Sequence, residues 1–132
     1  MDLNQIIEAV NALSDENSPP KQITTWVNDA IARINIELGA NFPFMDLAKA
    51  TESPAFPEKY HYTVLLPFAT ARIKQVDSSQ FEYSDLFMEF EANLTKMKST
   101  YTVPDEFKDK TEQEITQVIL ADRLEEEDPD VI

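Results

Sequence analysis

The sequence contains no cysteine, a single glycine and a single histidine among its 132 residues. Without cysteine, the chain cannot form disulfides, thiolate metal sites or a cysteine nucleophile. Because left-handed backbone conformations favour glycine, one glycine disfavours β-hairpins that turn on Asn-Gly or Gly-Gly. It also excludes a glycine-rich phosphate-binding loop. These absences favour a helical protein without thiol or phosphate-loop chemistry.

Long apolar runs are also lacking, and bases are few. No apolar run approaches the roughly 18 residues of a membrane span, and the N-terminus, MDLNQIIEAVNAL, lacks the basic segment of a signal peptide. Eleven Lys and Arg oppose 25 Asp and Glu, which gives a net charge of −14. That charge repels phosphate backbones and anionic membranes. We therefore expect a soluble protein, made in the cytoplasm, that binds neither membranes nor nucleic acid.

The acidic residues are unevenly distributed. Residues 19–101 carry ten acids and eight bases, whereas residues 102–132 carry eleven acids and three bases. A block of like charge at a chain end is typical of a tail outside the folded core. The sequence therefore predicts a helical domain over residues 1–104 and an acidic C-terminal arm over residues 105–132.

Four stretches have apolar residues at helical spacing, and local signals predict where the first two begin and end. The first covers residues 2–13, with Asp2 in the first turn. The second follows Ser18-Pro19-Pro20, in which Ser18 caps the helix, and stops at Gly39, which takes a positive φ. Their apolar positions are Leu3, Ile6, Ile7, Val10 and Leu13, then Ile23, Trp26, Val27, Ala30, Ile31, Ile34 and Leu38.

The third and fourth stretches complete a bundle. The third has Pro57 at its first position and runs to Val76, with Pro67 inside it as the expected cause of a kink. The fourth starts at a capping box formed by residues 79–82 and ends before Pro104. The predicted fold class is all-α: a small four-helix bundle with a long kinked third helix and an extended C-terminal arm.

Two segments outside the helices carry apolar residues that must be buried, either in the bundle or against a partner. The loop over residues 40–57 is long for a small domain; its apolar residues either fold back on the bundle or form an interface, for which the candidates are Phe42, Phe44, Met45 and Phe56. The arm carries a compact apolar patch, with Leu124 just beyond it: Ile115, Val118, Ile119 and Leu120. A strand or extended segment suits this patch better than a free helix, and a helix remains open. We expect the patch to bind a partner.

No group of residues predicts catalysis. The lone His61 has no orienting partner or nucleophile near it in the sequence, so we interpret it as a structural or surface residue. The acidic run over residues 125–130 lacks the ligand spacing of a calcium loop, and the absence of a Glu-x-x-His pair excludes a di-iron bundle. We predict no catalytic, cofactor or metal site. By elimination, the chain is an interaction or structural protein rather than an enzyme.

The order of three segments resembles the adaptor, or head–tail connector, proteins of tailed bacteriophages. These segments are WVNDAIARINIELGANFP at 26–43, YHYTVLLPFATARIKQVD at 60–77 and FMEFEANLTKMKSTYTVP at 87–104. The likeness covers about 80 residues and consists of helical patterns followed by an arm, without a catalytic signature. Residues 105–132 contain no motif that matches.

This resemblance implies a structural virion protein of the phage neck. Its helical bundle would assemble as a homo-oligomeric ring, a dodecamer, under the portal protein after DNA packaging, and would connect the head to the stopper or tail. The arm patch would anchor it to the portal or to a neighbouring subunit. Packaged DNA would pass through the lumen without specific binding, for which an acidic surface is suited.

The charge also favours an alternative from another class. A small acidic regulatory module could mimic DNA, or act as an antitoxin-like inhibitor of a basic protein. Such a module should bind a nuclease or DNA-binding protein in a salt-sensitive way. A helical enzyme with an unrecognised site is the least supported reading.

Overall fold

The structure is a computed structural model that describes residues 1–76 and 80–109. Three of the four helices are regular: α1 is Leu3–Ser14, α2 is Pro20–Leu38 and α4 is Gln80–Thr100. The remaining helix, α3, consists of three consecutive segments, which are α-helical Glu58–Tyr60, π-helical His61–Leu65 and α-helical Leu66–Val76. Short 3₁₀ turns lie at Leu47–Lys49 and Asp105–Phe107. The predicted all-α four-helix bundle is confirmed. Three predicted features lie outside the described residues: the arm patch, Leu124 and the Ser79 end of the capping box.

The ends of α1 and α2 follow the predicted chemistry with two changes. Asp2 is the N-cap of α1, not a residue of its first turn: its Oδ1 accepts from the Gln5 amide at 2.8 Å, and the Gln5 Oε1 accepts from the Asp2 amide at 2.9 Å. Ser18 does not cap α2, since Pro19 occupies that position without a side-chain bond. Gly39 has φ of 62° at the C-cap of α2, which confirms its predicted left-handed conformation.

Helix α3 is the central element of the bundle. Residues 64–71 are all buried, which is typical of a helix with neighbours on every side, whereas both ends of α3 include exposed residues. Pro57 is its N-cap, so the first helical residue is Glu58 rather than the proline.

The helix continues through Pro67, and the π-helical segment ends at Leu65, two residues before it. Pro67 has no amide hydrogen to donate to the Thr63 carbonyl, four residues earlier. The Asn93 Nδ2 of α4 donates to that carbonyl instead, at 2.9 Å. The π segment and this side-chain bond together accommodate a proline in mid-helix; the predicted kink stays a prediction.

Residues 40–57, the clamped loop, fold back onto the bundle. The Asn28 side chain accepts from the Met45 amide at 2.7 Å and donates to its carbonyl at 3.0 Å. Seven residues further along α2, Asn35 does the same with Phe42, at 2.8 and 3.2 Å. Two asparagines one heptad apart therefore hold the loop along one face of α2.

The far end of the clamped loop supports the start of α1. The first amides of a helix lack partners within the helix. Here the Leu3 amide donates to the Glu52 carbonyl, and the Asn4 amide donates to the Ala50 carbonyl, both at 3.1 Å. The loop therefore caps one helix while it is held by another.

The chain returns to the bundle after α4, beyond the predicted boundary at Pro104. Lys108 forms an antiparallel bridge with Ala40. The Asn41 amide donates to the Phe107 carbonyl at 2.6 Å, and the Asp109 amide donates to the Gly39 carbonyl at 3.0 Å. Residues 105–109 thus belong to the packed body rather than to the arm, because their backbone groups pair with the start of the clamped loop.

Candidate protein-binding groove

A groove opens on the surface where the end of α1, the length of α3 and the first half of α4 meet. Its volume is about 660 Å³. We call it the α1–α3–α4 groove; it is lined by Leu13, Tyr62, Leu66, Pro67, Thr70, Lys74, Asp85, Leu86 and Glu89. Tyr62 and Lys74 are twelve residues apart on α3, which corresponds to about 18 Å of helix. The groove is therefore about three helical turns long.

Two of its apolar side chains are well exposed to solvent. Leu13 is 60% exposed and Tyr62 is 56% exposed. The periodicity predicts Leu13 on the buried stripe of α1, and this prediction is wrong: Ser14 occupies the buried position one residue later. Leu13 is thereby left at the edge of the groove beside Leu66, Pro67 and Leu86. Leu66 and Pro67 are themselves buried, so the exposed apolar surface of the groove comes mainly from Leu13 and Tyr62. Exposed apolar side chains gathered at one concave site favour a binding site for another protein.

The polar groups of the groove give it an acidic edge. Asp85 and Glu89 lie four residues apart, on one face of α4, and Lys74 is the one base of the lining. Beneath the floor, Thr70 is 3% exposed, and its hydroxyl has no hydrogen-bond partner among the described residues. An unpaired buried hydroxyl costs free energy. With apolar side chains on its floor and a net negative rim, the groove is suited to bind another molecule non-covalently.

The four loop residues predicted as an interface separate into two groups. Phe42, Met45 and Phe56 are buried in the core of their own chain, so they offer no surface to a partner, and for them the interface prediction is corrected. Phe42 packs against the rings of Phe56 and Phe107, each at 5.2 Å between centroids. Phe44 alone is exposed, at 59%. The Asn28 and Asn35 clamps decide this division, because they fix the loop backbone on either side of Phe44.

Trp26, predicted on the core stripe of α2, packs at the edge of the core and is only partly buried. It lies beside Ile73 and Val76 of α3. Its position is thus close to the prediction, and its indole remains partly open to solvent.

His61 is buried and held by groups at the start of the chain. Its Nε2 lies 2.9 Å from the Phe56 carbonyl, which can only accept, so this nitrogen carries the proton. Nδ1 then faces the Met1 amino group at 3.4 Å. Burial is the main cause that lowers the pKa of His61, and the nearby amino charge lowers it further. These contacts give the imidazole a structural position at the base of α3, as its interpretation from sequence allowed.

The Met1 amino group also pairs with Glu58 at 2.8 Å. This hydrogen bond lowers the pKa of the Glu58 carboxyl. The amino group, the carboxylate and the imidazole of His61 therefore form one polar cluster next to the aromatic ring of Phe56.

Three groups that matter in the structure have no clear signal in the sequence. Leu13 and Tyr62 look like ordinary helix residues, and only the packing of three helices leaves them together at one groove. Asn93 is a polar residue on an exposed face, and its bond to the Thr63 carbonyl requires α3 and α4 to be adjacent. The proline at 67 is the one local hint that a carbonyl in α3 needs an outside donor.

Residues 1–76 and 80–109 contain no group of three or more His, Asp or Glu side chains placed to hold a metal ion. In the same part of the chain, every helix is too short or too polar to cross a bilayer.

The comparisons with known proteins returned no relative. No protein-family model matches the chain, and no curated protein and no solved structure matches it either.

Proposed function

We propose that this protein is a structural assembly subunit of a tailed-phage neck, an adaptor that docks under the portal after DNA packaging and connects the head to the stopper or tail. The observation that carries a protein-binding role is the α1–α3–α4 groove, with its exposed Leu13 and Tyr62. The resemblance of residues 26–104 supplies the particular assembly. In this proposal the protein is located in the virion and forms a homo-oligomeric ring.

The residues within the resemblance support it through their roles in the bundle. Asn28 of the WVNDA segment bonds to the loop backbone. Asn93 of the third segment donates to the Thr63 carbonyl, to which Pro67 of the LPFATAR segment has no amide hydrogen to donate. A bundle that presents exposed apolar residues of the loop, Phe44 and Leu47, as well as the α1–α3–α4 groove is suited to a subunit that meets more than one neighbour.

The net charge of −14 supports the same assignment. A ring around a DNA conduit works best when its lumen does not retain phosphate backbones, and acidic side chains prevent such retention. The arm patch, Ile115, Val118, Ile119 and Leu120, is the proposed anchor to the portal or to a neighbouring subunit. Many arms acting together would give stable attachment although each is weak.

The test uses DNA-filled, portal-bearing heads assembled without this protein. Full-length protein should bind these heads and restore infectious particles on addition of tails. A chain truncated after Asp109 should keep its fold, since it retains Phe107 against Phe42, but should not restore infectivity. Truncation after Pro104 is less informative, because it removes that packing.

Two results would contradict the proposal. If full-length protein fails to bind the heads, the adaptor function is wrong. If the chain truncated after Asp109 restores infectivity fully, the arm is not the anchor.

A second function is favoured by the excess of acids, 25 against 11 bases. In it, the chain is an acidic inhibitor that occupies the DNA site of a basic protein. Binding of that kind weakens steeply as salt rises, because it depends on charge. Attachment to heads by the apolar arm patch should change much less between low and physiological salt, and this difference separates the two functions.

A further inference from the structure

The geometry points to the α1–α3–α4 groove as the docking site for an amphipathic helix of a partner protein that carries apolar residues on one face and Lys or Arg beside it. This inference rests on the proposed function as an assembly protein and adds the chemistry of the partner. About three turns of helix would fit the groove from Tyr62 to Lys74.

The floor of the groove determines the apolar face of the partner. Leu13, Tyr62, Leu66 and Leu86 line it from three helices. Apolar side chains at spacings of three and four residues on an incoming helix would cover them. The exposed fractions of Leu13 and Tyr62, 60% and 56%, show how much surface remains to be removed from water.

The rim determines the sign of the partner's charge. Asp85 and Glu89 are one helical turn apart and both line the groove, where Lys74 offsets one of their two charges and leaves the rim net negative. A Lys or Arg on an incoming helix would lie beside them, and the protein's negative field would speed the encounter. Charge complementarity therefore selects a partner that is both apolar and basic.

The same charge disfavours the two other candidate occupants. Residues 110–132 of this chain have apolar side chains but carry eight acids against two bases, so they would be repelled by Asp85 and Glu89. A second copy of the chain brings a net charge of −14 and meets the same repulsion. Only a basic segment gains from both the floor and the rim.

Two synthetic 18-residue helical peptides would test this. They share one leucine face, at positions i, i+3, i+4 and i+7, and differ in their flanks, which are Lys in one and Glu in the other. Titration against the full-length protein, followed by fluorescence anisotropy, should give at least tenfold tighter binding of the Lys peptide in low salt. The ratio should shrink as salt rises.

Variants locate the binding in the groove. Asp85→Asn with Glu89→Gln should weaken the Lys peptide about fivefold and leave the Glu peptide unchanged or tighter. The control variant, Glu8→Gln with Glu52→Gln, removes the same charge from exposed positions outside the groove lining. It should weaken the Lys peptide by less than half as much. Tyr62→Ala or Leu13→Ala should weaken both peptides about tenfold, whereas Ile36→Ala, at a residue 78% exposed on α2, should weaken neither.

Several outcomes would overturn the inference. Equal losses in the two double variants would mean general attraction to an acidic protein. Tighter binding by a peptide of residues 110–132, or self-association of the protein that is lost in Tyr62→Ala, would assign the groove to this chain or to its copy. The assay uses the isolated protein, so it can fail while attachment to heads succeeds, and a failure here is distinguishable from a failure of the adaptor function.

Discussion

The clamped loop and the α1–α3–α4 groove differ in how far their apolar side chains are exposed to solvent. Phe42 of the loop is 1% exposed, whereas Leu13 at the groove is 60% exposed. On the loop side, Asn28 and Asn35 satisfy the backbone groups of the segment that covers the aromatic cluster. On the groove side, none of the described loops crosses the apolar surface. An irregular segment can cover a core only where its own polar backbone finds partners.

The side of the molecule with the clamped loop is therefore held by many hydrogen bonds, whereas the side with the α1–α3–α4 groove leaves apolar side chains open to a partner. Carbonyl groups of the clamped loop also accept from the first amides of α1, and the loop pairs with residues 105–109. With α2, three parts of the chain are therefore bonded to it. Thr70 at the groove has a buried hydroxyl without a hydrogen-bond partner among the described residues, and the groove itself is open to solvent. Substitutions on the two sides should therefore have different consequences for stability.

The largest effect is expected inside the clamped loop. Phe42→Ala should lower the free energy of unfolding by about 3–5 kcal/mol, because it removes a buried ring and leaves a cavity. Phe44→Ala, two residues away and 59% exposed, should change it by no more than about 0.5 kcal/mol. Urea denaturation of both variants gives the comparison. Similar losses in the two would mean that the loop is not clamped as described.

Two buried threonines should respond with opposite signs. The Thr24 hydroxyl donates to the Pro20 carbonyl at 2.8 Å, whereas the Thr70 hydroxyl below the groove has no partner among the described residues. Thr70→Val should therefore stabilise the protein by about 1 kcal/mol, and Thr24→Val should destabilise it by about the same amount. Thermal and urea unfolding measure both. Destabilisation by Thr70→Val would show that its hydroxyl has an unseen partner, such as an ordered water.

The proline in α3 should be coupled to an asparagine in α4. Asn93→Ala should cost about 1 kcal/mol, since it removes the donor to the Thr63 carbonyl. In a Pro67→Ala background the new amide hydrogen can bond that carbonyl, so the same change should cost about half as much or less. A double-mutant cycle in urea measures the coupling. Additive effects would show that Asn93 does not compensate for the proline. Pro67→Ala alone should leave the protein folded.

The last prediction concerns pH on the loop side. The pKa of buried His61 is lowered, so the unfolded chain, with an ordinary pKa of about 6.5, takes up the proton first. Stability should therefore be constant above about pH 6.5 and fall as the pH drops through and below it. Urea midpoints from pH 8 to 5.5 measure this.

His61→Gln is the matched control for this prediction. Glutamine can still donate to the Phe56 carbonyl and does not titrate in this range. Among the described residues, the charged groups that face the imidazole are the Met1 amine and Glu58, and they remain in both proteins. If both proteins show the same decline with falling pH, the decline does not come from His61.

The sequence alone determined the helical class, the four helices and most of their limits. Apolar residues at a period near 3.6 identify the helices, and Gly39 marks where α2 ends, because local backbone chemistry acts within a few residues. Helix α4 ends at Thr100, four residues before Pro104. Leu13 and Ser14 are both close to the buried side of α1 by helical spacing. The periodicity of apolar residues predicts Leu13 as the buried one, but Ser14 is buried instead.

The tertiary structure decided which apolar residues are covered and which are left open. From sequence, Phe42 and Met45 could lie in the core or in an interface; bonds from Asn35 and Asn28, seven and 17 residues away, hold their backbone along α2, and both side chains are buried. The groove exists only where α1, α3 and α4 meet, and residues 105–109 join the body only because Gly39 and Asn41 are beside them. These contacts join residues far apart along the chain, so their free energies depend on packing that no local pattern of residues contains.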